Sequence, residues 1–236
     1  MTMRILILTT CLLLGVLGTK AQEEPEYRME IGAGAGAQSY VGDLDANLLR
    51  GQNAMAGVVA KYKPNPRTAW AANLRFGKLD GSSSNAETVY PVLNGEAWNF
   101  KTKTVDFDVT FEYNFWPYGT GQEYHGARPF TPFIALGMGL TFANADVTGL
   151  DNFKKSSTGF QMPFGIGVKY KVANRLNLSA EWLMHFTGTD KLDGLADPYG
   201  IKSSGLFKNT DCYSTLQLSL TYDLWTKCKT CMNDDD

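Results

Sequence analysis

Residues 105–115 read VDFDVTFEYNF, and this segment decides the fold class. Apolar or aromatic side chains occupy every odd position of the segment, and polar or charged side chains occupy every even position. Successive side chains of a β-strand point to opposite faces, so a period of two predicts a strand with one apolar and one charged face. Such a strand fits a barrel that carries its apolar face outward into lipid.

The same alternation recurs in residues 160–172, 176–186 and 216–224. Four segments in which Gly and Ala blur the pattern complete the set, namely residues 27–40, 54–63, 68–78 and 130–142. Strands of about ten residues suffice to cross a bilayer when tilted. We therefore predict an all-β fold, an eight-stranded antiparallel transmembrane β-barrel of the outer-membrane type. Pro132 and Pro163 cannot donate to a ladder, so we expect each near a strand end or at a bulge.

The amino terminus has the pattern of a secretory signal peptide. A basic Arg4 precedes an apolar stretch, and small residues at Thr19 and Ala21 suit cleavage before Gln22. The predicted domains are a signal peptide over residues 1–21, the barrel over 22–225 and a periplasmic tail over 226–236. The formal net charge of −2 offers no basic surface for nucleic acid.

The predicted connections alternate in length, as they do in small outer-membrane barrels. Residues 64–67, 116–129 and 173–175 would face the periplasm, although the middle one is longer than this rule predicts. Residues 41–53, 79–99, 143–157 and 188–210 would face outward. Both termini would then be periplasmic in an outer-membrane protein. An aromatic girdle is expected at the inner strand ends, from Trp70, Tyr113, Trp116, Tyr170, Tyr222 and Trp225. A soluble β-sandwich or lipocalin-like barrel also alternates, but with its apolar side inward.

The polar strand faces would place a charge cluster in the lumen. Its predicted members are Lys61, Arg75, Asp106, Asp108, Glu112, Lys169, Lys171, Glu181 and His185. An eight-stranded barrel is just wide enough for side chains to fill, so these groups should pair and plug it. A hydrolase built on Asp106, Asp108 and His185 is the alternative, but no serine lies beside His185. We expect no enzymatic activity and no cofactor.

The tail contains the pair Cys228 and Cys231 with CxxC spacing. This spacing fits a redox pair, half of a zinc site or a local disulfide. No second ligand pair exists in the sequence and no βαβ pattern surrounds the motif. In an oxidising compartment we expect a disulfide or a partner contact, and no metal site. Cys212, at the outer end of the last strand, is expected to act as a small apolar residue.

Three sequence blocks together resemble a known family. They are YVGDL at residues 40–44, NPR at 65–67, and NTDCYS at 209–214 followed by LSLTYDLW at 218–225 and the CKTC tail. This set resembles the PorG-like outer-membrane barrels of the type IX secretion system in Bacteroidetes. The resemblance implies a non-enzymatic component of protein export that anchors a periplasmic ring, built from a lipoprotein and a periplasmic partner, to the outer membrane.

The predicted topology suggests where such a partner would bind. The long inner connection contributes five candidate contact residues, Trp116, Tyr118, Glu123, Tyr124 and His125, and the tail from Thr226 contributes a second surface. The other expected partner is outer-membrane lipid, with no nucleic acid and no small-molecule substrate. A structural or adhesive OmpA-like surface barrel is the alternative function, and an outer-membrane hydrolase is the third.

Overall fold

The computed structural model describes residues 25–41, 51–82, 98–120, 126–149, 153–189, 191–192, 194 and 211–226. These residues form eight antiparallel strands, and each strand pairs with its neighbours in sequence. The strands are β1 (Tyr27–Val41), β2 (Asn53–Asn65), β3 (Thr68–Ser82), β4 (Asn99–Asn114), β5 (Phe130–Thr148), β6 (Phe153–Ala173), β7 (Leu176–Thr187) and β8 (Cys212–Thr226). Pairing of β1 with β8 over 14 residue pairs closes the barrel.

The wall of the barrel is apolar outside and polar inside. Large apolar side chains such as Ile31, Phe107 and Leu218 are about half exposed, whereas Asp106, Asp108 and Arg75 are buried in the lumen. A soluble barrel would carry the opposite arrangement, because water would solvate its outer face. The predicted fold class is therefore confirmed. Among the described residues, no helix is long and apolar enough to cross a membrane.

Aromatic side chains gather at the barrel end where β1 begins and β8 finishes, which we call the termini end. The exposed aromatic residues there are Tyr62, Trp70, Tyr113, Phe115, Trp116, Phe130, Tyr170, Tyr222 and Trp225. Adjacent members contact each other, as Trp116 and Phe130 do with ring centroids 5.8 Å apart. Amphipathic rings favour the membrane–water boundary, so this belt marks the edge of the membrane at the termini end.

Two of the connections at the termini end are tight turns. In the turn between β2 and β3, Asn65 Oδ1 accepts hydrogen bonds from the backbone N–H groups of Arg67 at 2.9 Å and Thr68 at 2.8 Å. An asparagine before a turn stabilises it in this way, by bonding the backbone two and three residues on. The turn between β6 and β7 is formed by Asn174 and Arg175.

At the opposite end, which we call the loop end, the strands run further than predicted. β5 has 19 residues and β6 has 21, so parts of the predicted connection 143–157 are strand. In these extensions the alternation continues with its polarity reversed. Phe100 and Val147 point inward and are buried, while Lys101 and Asp146 point outward. This is the pattern of a sheet in water, so the barrel extends past the membrane at the loop end.

The two strand prolines differ from each other. Pro132 is the third residue of β5, near a strand end as predicted. Pro163 lies in the middle of β6, opposite His185 of β7, without a register shift there. The expectation of a strand end or a bulge is therefore wrong for Pro163. Its missing N–H interrupts the ladder with β5, where pairing stops at Leu136 and resumes at Gly139 in the same register.

Candidate functional site

The lumen of the barrel holds a chain of ion pairs that begins near the termini end. Lys63 Nζ lies 2.7 Å from both Glu30 Oε1 and Asp223 Oδ1. Lys171 Nζ lies 2.6 Å from the second oxygen of Asp223. Thr221 also donates to Glu30 at 2.9 Å. Charges in a low-dielectric interior require such partners, and every charge of this layer has one.

A second layer joins β2, β4 and β6 through one carboxylate. Glu112 accepts from Lys61 at 2.9 Å and from Lys169 at 2.5 Å, one lysine on each oxygen. The ammonium of Lys169 also lies 4.6 Å from the ring centroid of Phe133. Because this layer connects strands from different parts of the barrel, it ties the wall together across the lumen.

A third layer is centred on Arg75. Its guanidinium donates from Nη1 to Asp108, from Nη2 to Glu181 at 3.2 Å and from Nε to Gln217 at 2.9 Å. All its partners are buried, on β4, β7 and β8. Through these three bonds the planar guanidinium of Arg75 links three other strands across an interior that is just wide enough for side chains to fill.

His185 lies on the loop-end side of the arginine layer. Its Nδ1 is 2.6 Å from Gln161 Oε1, its Nε2 is 3.0 Å from Thr215 Oγ1, and its ring stacks on Tyr213 with centroids 4.4 Å apart. The ring is fully buried, and both nitrogens are engaged. A general base needs contact with its substrate, which this enclosed position does not offer.

Asp106 is a buried lumen carboxylate with no ion pair among the described residues. It is 0% exposed, and neither of its oxygens has a hydrogen-bond partner there. Arg75 lies opposite it on β3, but the Arg75 donors bond other residues. The hydroxyls of Thr141 and Tyr213 are close to Asp106 and lie 3.0 Å from each other. Asp106 thus differs from the carboxylates of the three ion-pair layers, each of which has a cationic partner.

An apolar cap closes the lumen at the loop end. Its buried members are Tyr40, Leu79, Trp98, Phe100, Ala143, Val147, Leu192 and Tyr213. Leu192 belongs to the connection between β7 and β8, and two bonds hold it over the mouth. Its backbone N–H donates to Asp211 at 2.8 Å, and its carbonyl accepts from Thr102 at 2.6 Å. The cap is therefore a small hydrophobic core on top of the barrel.

Tyr118 closes the lumen at the termini end. It lies in the connection between β4 and β5, is 5% exposed, and donates its hydroxyl to Asn177 Oδ1 at 2.9 Å. Lys169 and Lys171 approach its ring at 6.0 and 5.8 Å. Burial, reinforced by the nearby carboxylates, raises the pKa of the Tyr118 phenol, which keeps it a neutral donor. The predicted contact residue Tyr118 therefore points into the lumen rather than outward.

The other predicted residues are placed as follows. The nine lumen residues, including Lys61, Asp108 and Glu181, are all buried inside the barrel. Trp116 is exposed in the aromatic belt, with the Arg128 guanidinium 5.3 Å from its ring. Cys212 begins β8 and is half-buried. The remaining site residues lie outside the described residues, as do the predicted signal peptide and tail; they are Glu123, Tyr124, His125, Cys228 and Cys231.

Sequence reasoning left out three members of the ion-pair chain, Glu30, Lys63 and Asp223. The period of two identifies two of them, because Lys63 follows Lys61 by two positions and Asp223 belongs to the polar face of the last strand. The period of two does not identify Glu30, because Glu30 lies near the start of the Gly- and Ala-rich β1, where the alternation is blurred. Within the described residues, no group of three or more His, Cys, Asp or Glu could hold a metal ion.

The wall is closed, its exterior is apolar and its lumen is filled with ion pairs. These features define a small membrane-spanning β-barrel of the outer-membrane class. The chain belongs to the family described as "Domain of unknown function (DUF6089)", which matches residues 4–233. No curated protein sequence matches it.

Three solved structures are similar to this chain at low sequence identity. Neisserial surface protein A is 16% identical, with a TM-score of 0.51 over 83% of this chain and 97% of that one. A major outer membrane protein from Thermus thermophilus is 15% identical, with a TM-score of 0.47 over 83% and 99%. The attachment invasion locus protein Ail of Yersinia pestis is 10% identical, with a TM-score of 0.43 over 86% and 100%. At these identities the likeness to Neisserial surface protein A concerns the fold alone.

Proposed function

We propose that this protein is a sealed, non-enzymatic outer-membrane barrel that acts as an anchor in type IX protein secretion, with its termini end in the periplasm holding a ring complex. The observation that supports an anchor is the closure of the lumen. Three layers of ion pairs fill it, Tyr118 covers one end and the cap with Leu192 covers the other. A barrel with a closed lumen would bind partners at its two ends rather than pass solutes through the lumen.

The resemblance of the terminal sequence blocks to PorG-like barrels supports the secretion role. The connection between β4 and β5 is suitably placed to bind a periplasmic partner, because it lies at the end where β1 begins and β8 finishes. Tyr118 fixes this connection to the β2–β3 turn, since its N–H donates to Pro66 O at 2.9 Å. A second bond braces the connection internally, from Arg128 N–H to Pro117 O at 2.7 Å. The proposed partner would bind to this connection.

A structural or adhesive surface barrel is the second candidate, and the fold supports it equally well. Two observations favour it. The wall extends past the membrane at the loop end with polar side chains outward, which gives the molecule a projecting surface. One solved structure with the same fold, Neisserial surface protein A, is described as a surface protein. In this case the loop end, rather than the termini end, would carry the function.

Affinity purification separates the two candidates. The full-length barrel is tagged and recovered from detergent-solubilised envelopes, with Glu123, Tyr124 and His125 replaced by alanine in one variant and Lys154, Lys155 and Ser156 replaced in a matched loop-end control. An anchor predicts that a periplasmic lipoprotein and its partner co-purify with the parent barrel and the control but are lost from the first variant, and that cargo export fails with them. Normal export after deletion of the gene would contradict the secretion role.

A planar-bilayer recording tests the sealed lumen separately. The reconstituted barrel should give no steady conductance, because the arginine layer and both end closures leave no aqueous path. A stable open level in most insertions would contradict the sealed anchor while leaving the fold intact.

A further inference from the structure

The outer surface of β3 to β6 changes from apolar to charged within one step of the ladder. Phe76, Val105 and Phe142 face each other across β3, β4 and β5 and form the last apolar row toward the loop end. The next outward-facing row, which we call the lysine row, consists of four exposed residues, Lys78, Lys103, Asn144 and Ser156. The lysine row therefore lies where the lipid-facing band ends.

Two like charges are directly opposed in the lysine row. Lys78 and Lys103 are cross-strand partners, an arrangement that destabilises a sheet unless an anion compensates it. Neither lysine forms an ion pair within the described residues.

The following row, one step nearer the loop end, shows what a self-compensated row looks like. Its outward-facing members alternate in sign across four strands, as Asp80, Lys101, Asp146 and Lys154. Lys154 Nζ lies 3.3 Å from Asp146 Oδ2, and Asn53 donates to Asp80 at 2.5 Å. This row compensates its own charges, whereas the two lysines of the lysine row have no ion-pair partner among the described residues.

We propose that Lys78 and Lys103 bind the phosphate of an anionic lipid headgroup in the leaflet that meets the loop end. Their position decides the source of the phosphate, because the anion must lie next to the apolar row that contacts the lipid tails. Lysine stems lie along apolar surface and carry their ammonium groups to the headgroup level. The Asn144 amide and the Ser156 hydroxyl continue the same row and add hydrogen-bond donors. The site requires only the membrane-spanning fold, so it holds for either function proposed above.

Native mass spectrometry of the full-length barrel in detergent tests this site. The lipids added are phosphatidylglycerol and diphosphorylated lipid A, with phosphatidylcholine as the zwitterionic comparison and oleate as an anion without phosphate. The variant is Lys78→Gln with Lys103→Gln. The matched control is Lys155→Gln with Lys191→Gln, which removes two exposed loop-end charges outside the lysine row.

The expected result is retention of one phosphatidylglycerol or lipid A molecule by the parent and by the control, with roughly thirtyfold weaker retention by the Lys78/Lys103 variant. Phosphatidylcholine and oleate should bind more weakly than either phosphate-bearing anion. Equal retention by both double variants would overturn the site, and equal retention of oleate would overturn the phosphate assignment. A separate titration with soluble heparin tests a polyanion that is not a lipid. Heparin binding at these lysines without any lipid retention would overturn the lipid as the occupant.

Discussion

At the scale of single residues, the barrel interior contains more acid than base. The described residues include five buried basic side chains, Lys61, Lys63, Arg75, Lys169 and Lys171, and seven buried carboxylates, Glu30, Asp106, Asp108, Glu112, Glu181, Asp211 and Asp223. Five of the carboxylates pair with the five cations. Asp211 accepts hydrogen bonds from Tyr40 and from the Leu192 backbone. Asp106 alone among these seven has neither an ion pair nor a hydrogen bond within the described part of the chain.

Replacing Asp106 by asparagine should therefore leave stability unchanged or increase it. The substitution removes a buried charge that has no ion-pair partner, so we expect the free energy of unfolding to rise by up to about 1–3 kcal/mol. Asp108→Asn is the matched control. It removes a partner of Arg75 and should lower the free energy of unfolding by about 3–5 kcal/mol. Urea unfolding in lipid vesicles measures both, and an Asp106→Asn barrel as unstable as Asp108→Asn would contradict the charge count.

Tyr118 provides a second test at the residue scale. Tyr118→Phe keeps the ring that closes the termini end but removes the hydroxyl that donates to Asn177. We expect a loss of about 0.5–1.5 kcal/mol, the usual worth of a buried hydrogen bond. Tyr170→Phe, in the exposed aromatic belt, removes a hydroxyl from the outside of the barrel and should change stability much less. If the two variants unfold at the same urea concentration, the Tyr118 hydroxyl does not secure the closure.

At the scale of the strands, what the sequence could predict depends on how regular the alternation is. β4 is evident from its strict period of two, and β7 departs from that period only at Leu183, an apolar residue on the inward face. β1 is blurred because its lumen side carries glycines such as Gly34, whose small size leaves room for Gln217, the partner of Arg75. The sequence does not predict the strand extensions at the loop end, for a different reason. Their period of two is intact, but their apolar side chains face inward where the wall extends past the lipid. No period of two predicts the cap residue Leu192, because it lies in the connection between β7 and β8 rather than in a strand.

Two neighbouring leucine substitutions in β1 test the direction of its faces. A side chain at Gly34 would meet Ser219, Gln217 and the Leu218 carbonyl, so Gly34→Leu should lower the free energy of unfolding by about 1–3 kcal/mol or prevent folding. Ala35, one position later, faces outward and is exposed, so Ala35→Leu should be tolerated. The folded fraction, read from the altered gel mobility of unheated samples, separates the two. Equal yields would mean that β1 does not alternate as described.

At the scale of the whole molecule, the two ends of the barrel differ in chemistry. The termini end has tight turns, an aromatic belt and Tyr118 over the lumen. The loop end has strands that continue beyond the lipid, a hydrophobic cap and an outward row of lysines. Small outer-membrane barrels pair short turns with the periplasm and longer connections with the outside. The asymmetry therefore gives a directional prediction for the intact cell.

The orientation can be measured with two epitope tags in the full-length chain. A tag after Asp236 should be invisible to antibody on intact cells and become accessible once the outer membrane is permeabilised, because β1 begins and β8 finishes at the termini end. A tag in the connection 42–50, between β1 and β2, should be detected on intact cells. Both insertions keep the strands and the lumen network unchanged, so the folded mobility of the barrel serves as the control. The reverse labelling pattern would place the termini end outside, and it would exclude a periplasmic ring as the partner of that end.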